Sequence, residues 1–364
     1  MKRIALSFIS FFIALLAIAQ NAKETKDTLT FTTILNNGIT SIKNQNRSGT
    51  CWDYATIAFI ESELLRKTGK TYNLSEMFVA NKDYMDCAEY HVRLHGDSKF
   101  SEGGSADDVF SVISRHGICP EDTMAKPGEM IGDTLANFTE FFSVLEPYVK
   151  AVANNKAKRL SPQWRVGMQS ILDAYLGKCP ETFTYEGKEY TPKSFAESLN
   201  INKDDYISIT SFMHHPFYEW FVIEAPYKWR PCLSYNIPYE EMMETIDHAL
   251  QQGYTVTWGG DVSGNGFDRK GLAIAGTPEQ VPSQGLRQVT FDNWQATYDH
   301  VMLIFGIAKD QNGREYYMVK NSWGDAGNYH GIWYMTKTYI AINTTYIFLN
   351  KEAVPKKILN TLSK

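Results

Sequence analysis

The 364-residue chain has no C-x-x-C pair, no internal repeat, no low-complexity block and no basic tract. Its five cysteines, Cys51, Cys87, Cys119, Cys179 and Cys232, therefore do not read as a zinc site. A formal charge of -5 without a Lys/Arg run excludes the electrostatic footprint of a nucleic-acid binder. The glycine-rich stretch Gly259–Gly266 lacks a lysine and a following helix, so it reads as a hairpin and not a phosphate loop. The adjacent His214 and His215 would point to opposite sides of a strand, which argues against a shared metal ion. Asp247-His248 reads as a surface pair on a helix and His330 as a turn residue. No metal or cofactor is expected.

Hydrophobic residues make up 43% of the chain and aromatics 13%, enough for one large domain or two smaller ones. Lys2-Arg3, the apolar run Ile4–Ile18 and the Ala17-Ile18-Ala19 site have the pattern of a secretory signal peptide, residues 1–19. The run is short for a retained membrane anchor. Its removal would leave 34 Lys and Arg against 41 Asp and Glu, a net charge of -7. An exported protein, periplasmic or secreted, is expected, with no membrane contact after processing. In such a chain an odd cysteine count leaves at least one free thiol. With Cys51 set aside, the other four allow three pairings or none.

Periodicity divides the rest in two. Residues 20–40 are a polar lead-in. Helices are expected over Cys51–Lys67, from Asn73-Leu74-Ser75-Glu76 to Tyr84, and over Ala106–Arg115. Within 131–205, a helical insertion without evident chemistry, they are expected over Leu135–Val152 and Trp164–Leu176. From residue 206 the pattern turns to short β-branched and aromatic runs: Tyr206–Ser211, Glu219–Glu224, Tyr254–Trp258, His300–Ile307, Glu315–Lys320, Gly331–Thr336 and Thr345–Leu349. A helix is expected over Glu240–Gln252. Helices first and strands later indicate an α+β fold with two lobes, 20–130 helical and 206–364 β-rich.

The chemistry centres on Cys51, which opens a helix that is apolar nearly all round. Backbone amides and the dipole at a helix start favour a thiolate, the attacking form of sulfur. Taken alone, Cys51 is as readily a buried structural cysteine. A nucleophile needs a base, and His300 opens a buried strand at a position that can face a cleft. Asn321 ends the next strand, and the Asp310–Gly313 turn would set the two side by side. The Asn321 amide could hold the imidazole while Trp323 shields that contact from water.

Ser48-Gly49-Thr50-Cys51-Trp52, Asp299-His300 and Asn321-Ser322-Trp323-Gly324 together resemble the papain-like cysteine peptidases. In that resemblance Gln45 is the oxyanion-hole glutamine, the Gly103-Gly104 pair binds substrate backbone, and Asp299 and Trp323 flank the substrate. Leu74-Ser75-Glu76, Tyr190-Thr191-Pro192, His215-Pro216-Phe217, Trp258-Gly259-Gly260-Asp261-Val262 and the long Cys51–His300 gap are similar to the bleomycin hydrolase and aminopeptidase C branch. The resemblance implies a two-lobed papain-like fold, a helical lobe plus an antiparallel β-barrel-like lobe, with a helical insertion, and hydrolysis of peptide bonds by Cys51, His300 and Asn321 through a thioester. It also implies aminopeptidase specificity and a homo-hexamer whose C-terminal tail lies in the cleft. Ser48 stands where secreted relatives have a cysteine, the branch is typically intracellular, and the tail after the last strand, Asn350–Lys364, is short for that role. The competing expectations are an endopeptidase with an open cleft, a transamidase using the same acyl chemistry, and an inactive papain-fold protein that binds peptides.

Overall fold

The structure is a computed structural model that describes residues 29–362 apart from 125–129, 132–134, 158 and 276–281. The expected signal segment lies outside the described residues.

After β1 (Phe31–Asn36) come three helices, α1 (Cys51–Thr68), α2 (Glu76–Arg93) and α3 (Ala106–His116). A small pair, β2 (Met130–Ile131) and β3 (Leu135–Ala136), precedes α4 (Thr139–Ala153) and α5 (Gln163–Leu176). The hairpin β4 (Phe183–Tyr185) and β5 (Lys188–Tyr190) leads to α6 (Pro192–Ser198). Then follow β6 (Tyr206–Thr210), β7 (Trp220–Val222), β8 (Leu233–Asn236), α7 (Tyr239–Gln251), β9 (Val256–Gly260), β10 (Leu272–Ala273) and α8 (Gln284–Asp292). The chain closes with β11 (His300–Asp310), β12 (Glu315–Lys320), β13 (Ile332–Thr336), α9 (Lys337–Asn343), β14 (Thr344–Asn350) and α10 (Lys356–Leu359).

Ten strands form one sheet in the order β10-β13-β12-β11-β9-β14-β6-β8-β7, with β1 paired to the far half of β11. Its pairings are antiparallel except β10 with β13 and β6 with β8, so the lobe expected as an antiparallel barrel is a mixed sheet. Along β11 the strand period of two separates two cores. Val301 and Leu303 join the cluster of α1 to α6, whereas Met302 and Ile304 join the cluster on the other face with α7 and α9.

Helix α1 runs through the first core: Trp52, Ile57, Phe59 and Ile60 have no exposed surface. Phe59 meets the rings of Phe110, Tyr206 and Phe348, which ties α1 to α3 and to the sheet. Gly69 ends the helix in the left-handed region (φ 70°), its N–H donating to Leu65 O at 2.8 Å. Because α1 packs against β11, the first residue of the helix and the first residue of the strand open on the same groove.

Several elements depart from the periodicity. The lead-in contains β1, an edge strand whose polar residues face outward and whose Phe31 stacks on Tyr334 with ring centroids 3.6 Å apart. Helix α2 continues past Tyr84 to Arg93, and α4 starts at Thr139 because Leu135–Ala136 is taken by a strand pair. The glycine-rich stretch is not a hairpin: β9 pairs with β11 and β14, and the tight antiparallel contact after it is Phe267 with Ala273. All five cysteines are free thiols.

Candidate active site

The loop before α1 is pinned to the loop after β12. Gln45 N donates to Ser322 O at 2.8 Å, Ser322 Oγ donates to Gln45 Oε1 at 2.6 Å, and Gly324 N donates to Lys43 O at 3.0 Å. With Oε1 fixed by Ser322, the Gln45 amide nitrogen is turned toward Ser48 O, 2.7 Å away, and keeps its second hydrogen. Thr50 sits at the N-cap of α1 without capping it; its hydroxyl lies 2.6 Å from Ser48 Oγ. The first amides of α1 are thus left without a side-chain cap, a ready site for negative charge.

His300 is buried at the start of β11. Its Nε2 lies 2.8 Å from Asn321 Oδ1, which also accepts from Ser322 N at 2.8 Å. That second bond fixes which end of the amide faces the ring. His300 therefore carries its proton on Nε2, and Nδ1 keeps a free lone pair. The Trp323 ring lies 4.9 Å from the imidazole, at 35°. Asn321 Nδ2 is buried without a protein partner beside a void of about 10 Å³, the space of one water, lined by Lys43, Glu61, Glu76 and Lys320.

Gly103 and Gly104 form the opposite lip. Tyr298 OH donates to Gly104 O at 2.5 Å, so the segment leading into the His300 strand reaches across and holds this strip. A Cβ on Gly103 would lie 2.9 Å from the Tyr227 side chain, and one on Gly104 2.8 Å from the Trp52 ring. Close packing against these rings, and not only room for a substrate, requires glycine here. Glu102 is tied down beside the strip: its carboxylate accepts from Gly49 N, and its carbonyl accepts from Trp52 Nε1 at 2.9 Å.

Cys51, His300, Gln45, Gly103, Gly104, Asp299 and Trp323 all line one cavity of about 980 Å³; Asn321 lies behind His300, outside the wall. The cavity also takes in Glu102, Phe142, Glu146, Tyr227 and Arg269, which sequence reasoning passed over. Phe142 and Glu146 belong to α4 of the insertion, a segment with no motif to mark it. Glu102, directly before the glycine pair, could have been found from that position.

Burial pushes the Cys51 thiol up to about 12, opposed by the amides of Val301 and Trp52 and reinforced by the Asp299 charge. Burial also holds the His300 imidazole down to about 4; the Asn321 bond raises it and Arg269 lowers it further. For each group taken singly, desolvation opposes the charge that the helix start was expected to favour; a thiolate and an imidazolium formed together would share that cost.

The histidine pair also departs from expectation. Residues 213–215 form a turn and not a strand, and both rings point to Glu224, at 3.1 Å from His214 and 3.0 Å from His215. These three are the group among the described residues with metal-ligand spacing. Gln288 argues against ligation. Its Oε1 accepts from Met213 N and its Nε2 donates to Asp292, so the same amide nitrogen must donate to His214 Nδ1. The His214 proton then sits on Nε2 and is directed at Glu224, leaving no lone pair for a metal.

A profile of the Peptidase C1-like family matches residues 13–364. The chain belongs to this family. Among curated proteins, aminopeptidase G of Lactobacillus delbrueckii subsp. lactis is 21% identical over 89% of this chain and 84% of its own length. Aminopeptidase C of the same organism is 21% identical over 87% and 81%, and aminopeptidase W 22% identical over 88% and 83%. The crystal structure of PepW from Lactobacillus rhamnosis HN001 superposes with a TM-score of 0.75, at 19% identity, over 96% of this chain and 90% of that one. The fold is papain-like, the chain is a cysteine-type peptidase, and its relatives are those of the bleomycin hydrolase and aminopeptidase C branch.

Asp299 supplies a test of these electrostatics. Burial raises its carboxyl to about 6, opposed by the Val262 amide that bonds Oδ1 at 2.9 Å. A carboxyl raised on folding binds more protons in the folded state, so its contribution is complete near pH 4 and is lost as the pH rises through 6. Thermal melts of wild type and Asp299→Asn are expected to run together near pH 4 and to separate in favour of the variant up to pH 6 to 7, with no further change above.

Proposed function

We propose that the protein is an exported cysteine aminopeptidase that works through Cys51, His300 and Asn321. The observation that carries the reading is the hydrogen-bond pattern at His300: Nε2 is committed to Asn321, so Nδ1 is the base left to the groove that also holds Cys51.

A peptide carbonyl settles against Cys51. Sulfur attacks as its proton passes to His300 Nδ1, so the two charges form together. The developing oxyanion takes hydrogen bonds from Gln45 Nε2 and the uncapped first amides of α1; one such donor is worth about 2.7–4 kcal/mol in related chemistry. His300 returns the proton to the leaving amine, the bond breaks, and a thioester remains. Water, activated by the same nitrogen, attacks the thioester and frees the acyl group and the thiol.

Support for attack at the amino end comes from the acyl side of the cavity. Next to Gly103 the cavity is lined by Phe100, Phe142 and Tyr227, with the carboxylates of Glu102 and of Glu146, which pairs with Lys150 at 2.8 Å. Aromatic walls limit how far a chain extends, and the carboxylates suit a free ammonium. The described part of the C-terminal segment, up to residue 362, is not among the residues of this wall. Leu359 and Leu362 pack on the sheet, and Thr361 Oγ1 accepts from Tyr235 OH at 2.9 Å. A hexamer closed by tails in its clefts is therefore not part of the proposal, and the insertion takes over the blocking role. Export rests on the residue 1–19 pattern, and no described helix is long and apolar enough to cross a membrane.

Expressed with its leader, the protein is expected to be recovered outside the cytoplasm with Gln20 at its N-terminus; a chain that stays inside with Met1 would remove export from the reading. One peptide offered in free and N-acetylated forms tests specificity. Only the free form should lose its first residue, and Cys51→Ala should abolish this. Internal cuts in both forms would indicate an open-cleft endopeptidase, and no cleavage would favour a peptide-binding protein.

A further inference from the structure

If the peptidase reading holds, the leaving amine must lie within reach of His300. The leaving half of the substrate then runs over His300 and Trp323, away from the glycine strip. Among the described residues two arginines line the cavity, Arg47 and Arg269, and Arg269 is the one set against the Trp323 ring.

Arg269 is an exposed residue of the cavity wall, its guanidinium carbon 5.3 Å from the centre of the Trp323 ring. Among the described residues it has no ion pair and no side-chain hydrogen bond, although Asp299 lines the same cavity. Its loop is held in place. Asp268 Oδ1 accepts from Lys270 N and Leu272 N, both at 2.9 Å, and Asp268 O accepts from Trp333 Nε1 at 2.9 Å. Phe267, two residues earlier, stacks on Trp333 with centroids 6.0 Å apart. The guanidinium thus sits within cation–π range of a fixed indole, its N–H fork without a partner among the described residues, an arrangement suited to a planar carboxylate. Glu102, which accepts from Gly49 N, and Glu146, paired with Lys150 at 2.8 Å, lie by the glycine strip, so acidic groups stand on the other side of the cavity from Arg269.

We infer that Arg269 forms a carboxylate-binding subsite on the leaving-group side, accepting either the C-terminal carboxylate of a short peptide or an acidic side chain of the residue released. A dipeptide or tripeptide with a free amino end matches both ends of the groove. The site would then favour short peptides over long ones, because only a short one brings its terminal carboxylate to Trp323.

The test uses three substrates with the same first residue and different leaving groups: alanine with a free carboxylate, alaninamide, and aspartic acid amide. In the wild type, kcat/KM for alanine or for aspartic acid amide should exceed that for alaninamide by roughly three- to ten-fold, mostly through KM. Gain with alanine alone identifies the terminal carboxylate; gain with aspartic acid amide identifies the side chain. Arg269→Gln should bring both ratios to about one within the same enzyme, and Arg269→Lys should keep part of the gain. Each ratio is internal to one variant, so partial misfolding does not imitate the result. Wild-type ratios of one, or a gain that survives in Arg269→Gln, would overturn the inference while leaving the peptidase reading intact. Failure to cleave alaninamide together with an unreactive Cys51 would overturn both.

Discussion

The packing of α1 against β11 is the contact on which the site depends. One helix buried on nearly every side and one strand buried on both faces bring their first residues, Cys51 and His300, to the groove. The helix cannot turn about its axis without exposing Trp52 or Phe59, and the strand cannot slip by one residue without exchanging Val301 and Leu303 for Met302 and Ile304 between two cores. Sulfur and imidazole are held in one groove by apolar surface far larger than either. The polar ties across the groove, Gln45 with Ser322 and Tyr298 with Gly104, then set the lips.

The same burial that fixes these positions disfavours charge. A thiol pushed up to about 12 and an imidazole held at about 4 are both neutral near pH 7. Moving the proton between them costs two separate desolvations if the charges form apart. It costs much less if they form together beside the uncapped amides of α1 and the Asn321 oxygen.

How much of this was legible in the sequence follows from how local each signal is. Helix α1 could be read because its apolar residues surround it, and β11 because it is a continuous apolar run ending in a polar turn. The neighbourhood of His300 and Asn321 could be read because one short turn joins their strands. The upward push on the Cys51 thiol could not, because the helix start is local whereas the burial of the sulfur and the Asp299 charge come from segments far along the chain. Phe142, Glu146 and Arg269 were missed for the same reason: each is an ordinary residue of its own helix or loop and gains meaning only from what folds against it. β1 escaped notice because an edge strand faces solvent, and a polar pattern does not distinguish it from a tail.

The central claim is that the reactivity of one sulfur depends on one imidazole across the groove. The direct measurement is the rate of Cys51 alkylation by iodoacetamide against pH, with the modified peptide identified by mass, in wild type and His300→Ala. Wild-type Cys51 should react readily at pH 7, because His300 takes the proton as the sulfur attacks, whereas in the variant, with burial holding the thiol up and no imidazole to accept its proton, reaction should appear only in alkaline solution. Equal rates in the two proteins at pH 7 would contradict the account.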